Sequence, residues 1–297
     1  MNKQLRFETF EQRAVLSAMP GWPTGPVPPV IAHNLSAAVA ESSIKAAPIA
    51  SVSSNWSGYA VSAPANSVSY VAGSWVEPTA SSTTNGYSSV WVGIDGYSSN
   101  TVEQIGTEAD VAHGTVTYSA WYEMYPSAMV TIPNFTIKAG DSITASVKYD
   151  PTHQDFVLTI NDTTGSQNYT TTQTATGAAR SSAEWIVEAP SSGRGVLPLA
   201  NFGSVTFSNA YAAINGTTGP IDNPGWQAYA INMTSRSRVE TSTSALSDSA
   251  APAGDTLYTG QVSSFTDTYN ATSPSPVTPT PSPHHHHRGG WGWWGWL

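Results

Sequence analysis

The stretch SAEWIVEAP, residues 182–190, sets Glu184 and Glu188 four positions apart around Trp185, Ile186 and Val187. A run this rich in Trp, Ile and Val, closed by Ala-Pro, reads as a β-strand. Side chains alternate faces along a strand, so Glu184, Ile186 and Glu188 share one face while Trp185 and Val187 share the other. Two readings follow. Either the carboxylate face is solvated above a core built on Trp185 and Val187, or the carboxylates are kept for chemistry. At ~3.3 Å per residue they stand roughly 13 Å apart, beyond the ~5–9.5 Å of a glycosidase acid pair. A glycosidase would have to recruit Glu123, Glu108 or Asp95 from another strand, and the sequence leaves that open.

The same texture runs from Asn55 to about Arg238. YVAGSWVEP, SSVWVGIDG, TVTYSAWYEMYP, DSITASVKYD, DFVLTIND and FGSVTFSNAYA each read as a strand, with turn signals such as KAGD and NDTTG between them. Many short strands without a helical period predict an all-β chain, an antiparallel β-sandwich or jelly roll. Residues 1–50 are Pro- and Ala-rich and read as a disordered leader or prosegment with a linker. The sandwich is expected over 51–240, followed by a Ser/Thr-rich extension over 241–272 with one added strand in TLYTGQVSSFTDTY. Residues 273–297 hold a Pro-rich linker and the tail HHHHRGGWGWWGWL, from which no enzymatic function is read.

Composition narrows the chemistry. With 20 Asp+Glu against 11 Lys+Arg the net charge is −9, which argues against nucleic acid and anionic membrane surfaces as partners. Only 10% of residues are charged, so few ion pairs are lost when carboxylates protonate. Cysteine is absent, which excludes disulfides, a thiol nucleophile and a thiolate metal site. His113 and His153 have no metal-ligand spacing, and neither a Gly-x-Ser-x-Gly motif nor a phosphate-binding glycine loop is present; no metal and no cofactor are expected. No run of 18 apolar residues occurs, so no membrane-spanning helix is expected. The opening residues lack an apolar signal region, although FETFEQRAVLSA resembles amino-terminal segments of exported proteins of some bacteria. Carboxylate and amide chemistry on an aromatic-lined sheet is what remains. In AWYEMYP, Trp121, Glu123 and Tyr125 share a face, which suits a groove for an extended peptide or sugar chain; as core packing, Glu123 would need a buried partner.

Six blocks, NWSGY (55–59), SVWVGIDG (89–96), EQIG (103–106), AWYEMYP (120–126), AEWIVEAP (183–190) and FGSVTFSNA (202–210), resemble in order and spacing the glutamic peptidases, the eqolisins of peptidase family G1. The resemblance covers about residues 53–235. It implies a concanavalin A-like β-sandwich and an acid-acting, pepstatin-insensitive endopeptidase with a glutamine and glutamate dyad. Carried over by motif, the dyad is Gln104 and Glu188, with Glu184 a supporting neighbour. Glu188 would be the general base, and Gln104 would stabilise the oxyanion. By the same resemblance Trp56, Trp91, Asp95, Glu108, Trp121, Glu123, Tyr125 and Glu184 line the substrate groove; Asp95 in GIDG reads equally as a turn residue. The partners implied are polypeptide substrates, with the protein a monomer acting outside the cell or on its surface. Where family members carry an acidic, aromatic stretch after the glutamate, this chain has Ala189, Pro190, Ser191 and Ser192, so their substrate preference is not carried over. The alternative is a noncatalytic carbohydrate- or peptide-binding sandwich, which would need neither Gln104 nor Glu188.

Overall fold

The computed structural model describes residues 45–235, 238–251 and 258–270; the rest of the expected leader and the His/Trp-rich tail lie outside them. The described chain is all β, arranged as two sheets and a small hairpin. The first sheet runs in the order β1 (Ile49–Ser53), β16 (Gln227–Ser235), β2 (Trp56–Ser62), β11 (Ser182–Glu188), β4 (Gly86–Ile94), β5 (Val102–Ala112), β6 (Thr115–Tyr125) and β7 (Val130–Thr131), with β17 (Arg238–Val239) attached to β16. The second runs β10 (Gln167–Gln173), β9 (Asp155–Asp162), β8 (Ser142–Asp150), β3 (Val68–Val76), β14 (Ser204–Ile214), β20 (Gln261–Tyr269) and β18 (Thr241–Thr243), with β15 (Thr217–Pro220) on β14 and β19 (Ser247–Ala250) on β20. β12 (Ser191–Ser192) and β13 (Gly195–Val196) form the hairpin that follows the SAEWIVEAP stretch. Among the described strands pairing is antiparallel except at the edge, where β1 lies parallel to β16; a lone parallel bridge also joins Tyr87 to Leu199.

The interior face of each strand supplies the core between the sheets. Tyr59, Val61, Val90, Val92, Ile94, Ile105, Trp185 and Val187 from the first sheet meet Val71, Trp75, Ile143, Val147 and Phe207 from the second in one buried cluster. Each fully buried side chain of this size is worth about 1.5–3 kcal/mol of transfer free energy, which fixes the alternation and hence the register. Trp185 also satisfies its indole N–H, which donates to the Ala72 carbonyl across the sandwich at 2.7 Å. With Trp185 inward, the face bearing Glu184, Ile186 and Glu188 is turned away from the second sheet, and the solvated alternative fails because all three are 0% exposed.

The strand inventory differs from the sequence expectation at both ends. β1 begins at Ile49, inside the stretch assigned to the leader, because the open edge of β16 accepts its backbone hydrogen bonds. The segment after Glu240 supplies β18, β19 and β20 rather than one strand, and β20 lies between β14 and β18 within the second sheet.

Candidate active site

Five adjacent strands, β2, β11, β4, β5 and β6, build the outer face of the first sheet, and their registers align the residues in rows. One row reads Ala60, Glu184, Gly93, Gln104, Glu123. The next reads Gly58, Ile186, Trp91, Gly106, Trp121, and the third Trp56, Glu188, Ser89, Glu108, Ser119. Each row carries two small residues among its large side chains, Ala60 and Gly93, Gly58 and Gly106, Ser89 and Ser119, which leaves room for the aromatics beside the carboxylates. Trp56, Trp91, Trp121 and Ile186 form a buried layer against which Tyr125, Met129 and Tyr229 pack as its partly exposed rim.

Glu188 is 0% exposed and is gripped through both oxygens. The Asn55 side-chain amide donates to Oε1 at 3.2 Å, and the Trp91 indole N–H donates to Oε2 at 2.9 Å. Trp91 is steadied in turn by Trp56, whose ring meets it edge to face at 5.0 Å. Gln104 donates through Nε2 to Glu123 Oε2 at 2.8 Å, which supplies the partner that a buried Glu123 requires. The Gln104 Oε1 atom makes no hydrogen bond among the described residues. Trp121 donates its indole N–H to Ser89 Oγ at 3.1 Å, and Ser89 donates onward to the Thr107 carbonyl at 2.8 Å.

The acids divide into two groups. Glu108 is held well above the ordinary carboxyl range, first by burial, then by Asp110, and further by Glu188 and Glu123. Glu184 is also held well above that range by burial, with the negative charges of Asp95 and Glu103 adding to it. Glu103 is pushed up to about 9 by burial and by Asp95. A carboxyl desolvated among other acids keeps its proton, so Glu184, Glu103 and Glu108 are neutral in acid while Glu188 has two N–H donors directed at it.

The eight residues expected to line a groove do not all meet. Trp56, Trp91, Glu108, Trp121, Glu123, Tyr125 and Glu184 share the outer face with Gln104 and Glu188. Asp95 occupies a turn with φ of 71°. Its carboxylate accepts the backbone N–H groups of Arg180 and Ser181 at 2.6 and 2.8 Å and the Ser181 hydroxyl at 3.0 Å, so it latches the loop before β11 and takes the turn alternative. Sequence reasoning overlooked Asn55, Ser89, Glu103 and Asp110. Asn55 stands beside Trp56 in the NWSGY block, and that position was its one available signal. By register alone Gln104 is closer to Glu184, across Gly93, than to Glu188, which lies beyond the Trp91 row.

The Peptidase A4 family profile matches residues 54–251. Aspergillopepsin-2 of Aspergillus niger is 40% identical over 138 residues, 45% of this chain and 49% of that protein. Scytalidopepsin B of Scytalidium lignicola is 33% identical over 144 residues, 47% of this chain and 53% of that protein. The chain thus spans about half the length of the curated relatives it matches. Among solved structures, scytalido-glutamic peptidase with a transition state analog inhibitor shares the fold, with a TM-score of 0.57 over 73% of this chain and 98% of that chain at 23% identity. Aspergilloglutamic peptidase from Aspergillus niger aligns with a TM-score of 0.51 over 62% of this chain and 99% of that chain at 30% identity. On the extent of the profile match, with a β-sandwich of the same architecture beneath it, the chain belongs to the Peptidase A4 family, the glutamic peptidases or eqolisins.

Proposed function

We propose that the chain is an acid-acting endopeptidase in which Glu188 and Gln104 activate a water for attack on a peptide bond. The observation that carries this reading is the contrast between the two glutamates of β11. Glu188 receives two neutral N–H donors, which suit a carboxylate that must be charged to act as a base, whereas Glu184 is held protonated beside Asp95 and Glu103. Register favours Glu184 as the neighbour of Gln104; the two N–H donors favour Glu188, because a base must carry its charge to take a proton.

In this mechanism Glu188 removes a proton from water as the oxygen bonds to the scissile carbonyl carbon. The carbonyl oxygen becomes an oxyanion, which an amide N–H of Gln104 stabilises, while Gln104 Oε1 orients the attacking water. Glu188 then returns its proton to the amide nitrogen as the C–N bond breaks, leaving a carboxylic acid and an amine. Glu123 keeps the Gln104 amide from rotating. Trp91, Trp121 and Tyr125 form the floor and rim for an extended polypeptide. Acid activity places the work outside a neutral cytosol, in the extracellular space or at the cell surface.

Hydrolysis of a denatured protein between about pH 2 and 7 tests the reading. Turnover is expected to peak in acid, to persist with pepstatin, to vanish in Glu188→Gln and Gln104→Ala, and to remain detectable in Glu184→Gln. Loss in Glu184→Gln with retention in Glu188→Gln would move the base to Glu184. A folded protein that cleaves nothing at any pH, yet binds peptides or oligosaccharides on this face, would be a binding sandwich instead.

A further inference from the structure

Building on Glu188 as the base, we propose that Asn55 is a positioning residue that aims the Glu188 carboxylate, and that the Ser53 hydroxyl sets the direction of the Asn55 amide. Ser53 ends β1 and Asn55 lies in the turn that leads into β2, 4% and 3% exposed respectively. Ser53 Oγ accepts the backbone N–H groups of Asn55 and Trp56 at 3.3 and 3.1 Å. Its lone pairs are thereby engaged, and its one proton goes to Asn55 Oδ1 at 3.1 Å. An amide has one oxygen end and one NH2 end, so fixing Oδ1 toward Ser53 turns the NH2 toward Glu188 Oε1. The Asn55 carbonyl also accepts the Ala189 backbone N–H at 2.8 Å. One residue therefore holds the Glu188 side chain and the main chain immediately after it.

The chemistry of the donor matters as much as its place. A Lys or Arg at this point would hold the carboxylate ionised but weaken it as a base. A neutral amide supports the charge and leaves the basicity needed to accept a proton from water. The titratable group shown to act with Glu188 is an acid, Glu108 from β5, on which Asp110 and, from β6, Glu123 also act. β2 and β4 present Trp56, Ser89 and Trp91 to it, none of which titrates as an acid or base in this range. Against that acidic side, the donors from Asn55 and Trp91 favour the ionised form.

The test measures kcat and KM as functions of pH for Asn55→Ala, Asn55→Asp, Ser53→Ala and Ser53→Thr, beside Glu188→Gln. Loss of a hydrogen bond to a charged group is expected to lower kcat about 10- to 100-fold in both Asn55 variants, with the acid limb of the profile moved up by about one pH unit. KM is expected to stay within about twofold, because the lost contact serves the reaction rather than substrate binding. Ser53→Ala should show the same shift in smaller measure, and Ser53→Thr, which keeps the hydroxyl, should restore the parent profile. A packing role alone would lower the thermal midpoint without moving the acid limb. If Asn55→Ala does not fold, the isosteric Asn55→Asp decides. Asn55 variants with parental kcat and an unmoved acid limb, beside an inactive Glu188→Gln, would overturn the positioning role. An active Glu188→Gln would instead remove the base assignment on which it rests.

Discussion

Gly106 shows how tightly single residues set this site. It lies in the row between Trp91 and Trp121, and a Cβ built there would stand 2.2 Å from the Val90 carbonyl oxygen and 2.5 Å from the Trp91 Cβ. Those contacts are with backbone and a side-chain root, so neither yields by a rotamer change. Gly106→Ala is therefore expected to displace Trp91, costing about 1–3 kcal/mol in stability by overpacking and loosening the indole N–H that holds Glu188. Calorimetry should show a lower thermal midpoint, and peptide hydrolysis a reduced kcat; an unchanged pair of values would mean that Trp91 does not depend on Gly106. At this scale the sequence told part of the site. The two-residue alternation grouped Glu184 with Glu188 and, separately, Trp121 with Glu123 and Tyr125, because strand geometry leaves no choice; that both groups lie on one face of the sheet came from the register. The sequence did not tell which glutamate receives N–H donors on both oxygens, since those come from residues as distant in sequence as Asn55 and Trp91. Nor did it decide whether Asp95 lines the groove or latches a turn, because its partners Arg180 and Ser181 lie in the loop before β11, far along the chain.

Among the elements, β20 carries weight out of proportion to its late position. The strand expected in TLYTGQVSSFTDTY forms at Gln261–Tyr269, but its location beside β14 was not legible, because pairing partners some 60 residues apart leave no local trace. Phe265 stacks on Phe207 at 5.0 Å and meets the Tyr59 ring at 4.7 Å, so this strand bridges both sheets. Asp267, 0% exposed, accepts hydrogen bonds from Ser57 of β2 and Thr243 of β18 and completes the bridge. A chain ended after Gly260 would expose the β14 edge and the apolar surface under Phe265. It is expected to accumulate as insoluble protein, or to unfold cooperatively at a much lower temperature than the parent. Soluble yield and thermal unfolding of the truncated chain would check this, and parental stability would show β20 to be an accessory strand. β1 carries the complementary lesson. A strand as short as Ile49–Ser53 offers little pattern to read, and it is ordered by the free edge of β16 rather than by its own propensity.

Across the whole molecule, the buried acids make stability itself a function of pH. Burial raises Glu77 to about 7, despite donors from Thr107 and Trp75, and Asp267 to about 7, despite Ser57 and Thr243. Glu103 is raised to about 9, and Glu108 and Glu184 are raised as well. Below the unfolded carboxyl range of about 4, both folded and unfolded chains hold these protons, and the groups cost nothing. Above it the unfolded chain releases them while the folded chain retains them, so the folded state loses ground with every further rise in pH. For Asp267 and Glu77 the loss runs from about pH 4 to about 7 and then levels, on the order of 3–5 kcal/mol each. Opposing effects are slight: Asp150, lowered to about 2 by His153, is partly exposed, and in the Lys45 and Lys138 ion pairs the ammonium groups are exposed, where such pairs contribute little. The thermal midpoint is therefore expected to be highest near pH 3–4 and to fall steadily toward pH 7. Asp267→Asn retains the shape and the acceptor oxygen but has no proton to lose, so it should flatten that decline while leaving the midpoint in acid nearly as it was. Scanning calorimetry of both proteins across this range decides the point: a parental midpoint that rises toward neutrality would mean that these carboxyls are ionised in the fold, and the proposal of activity in acid would lose its electrostatic basis.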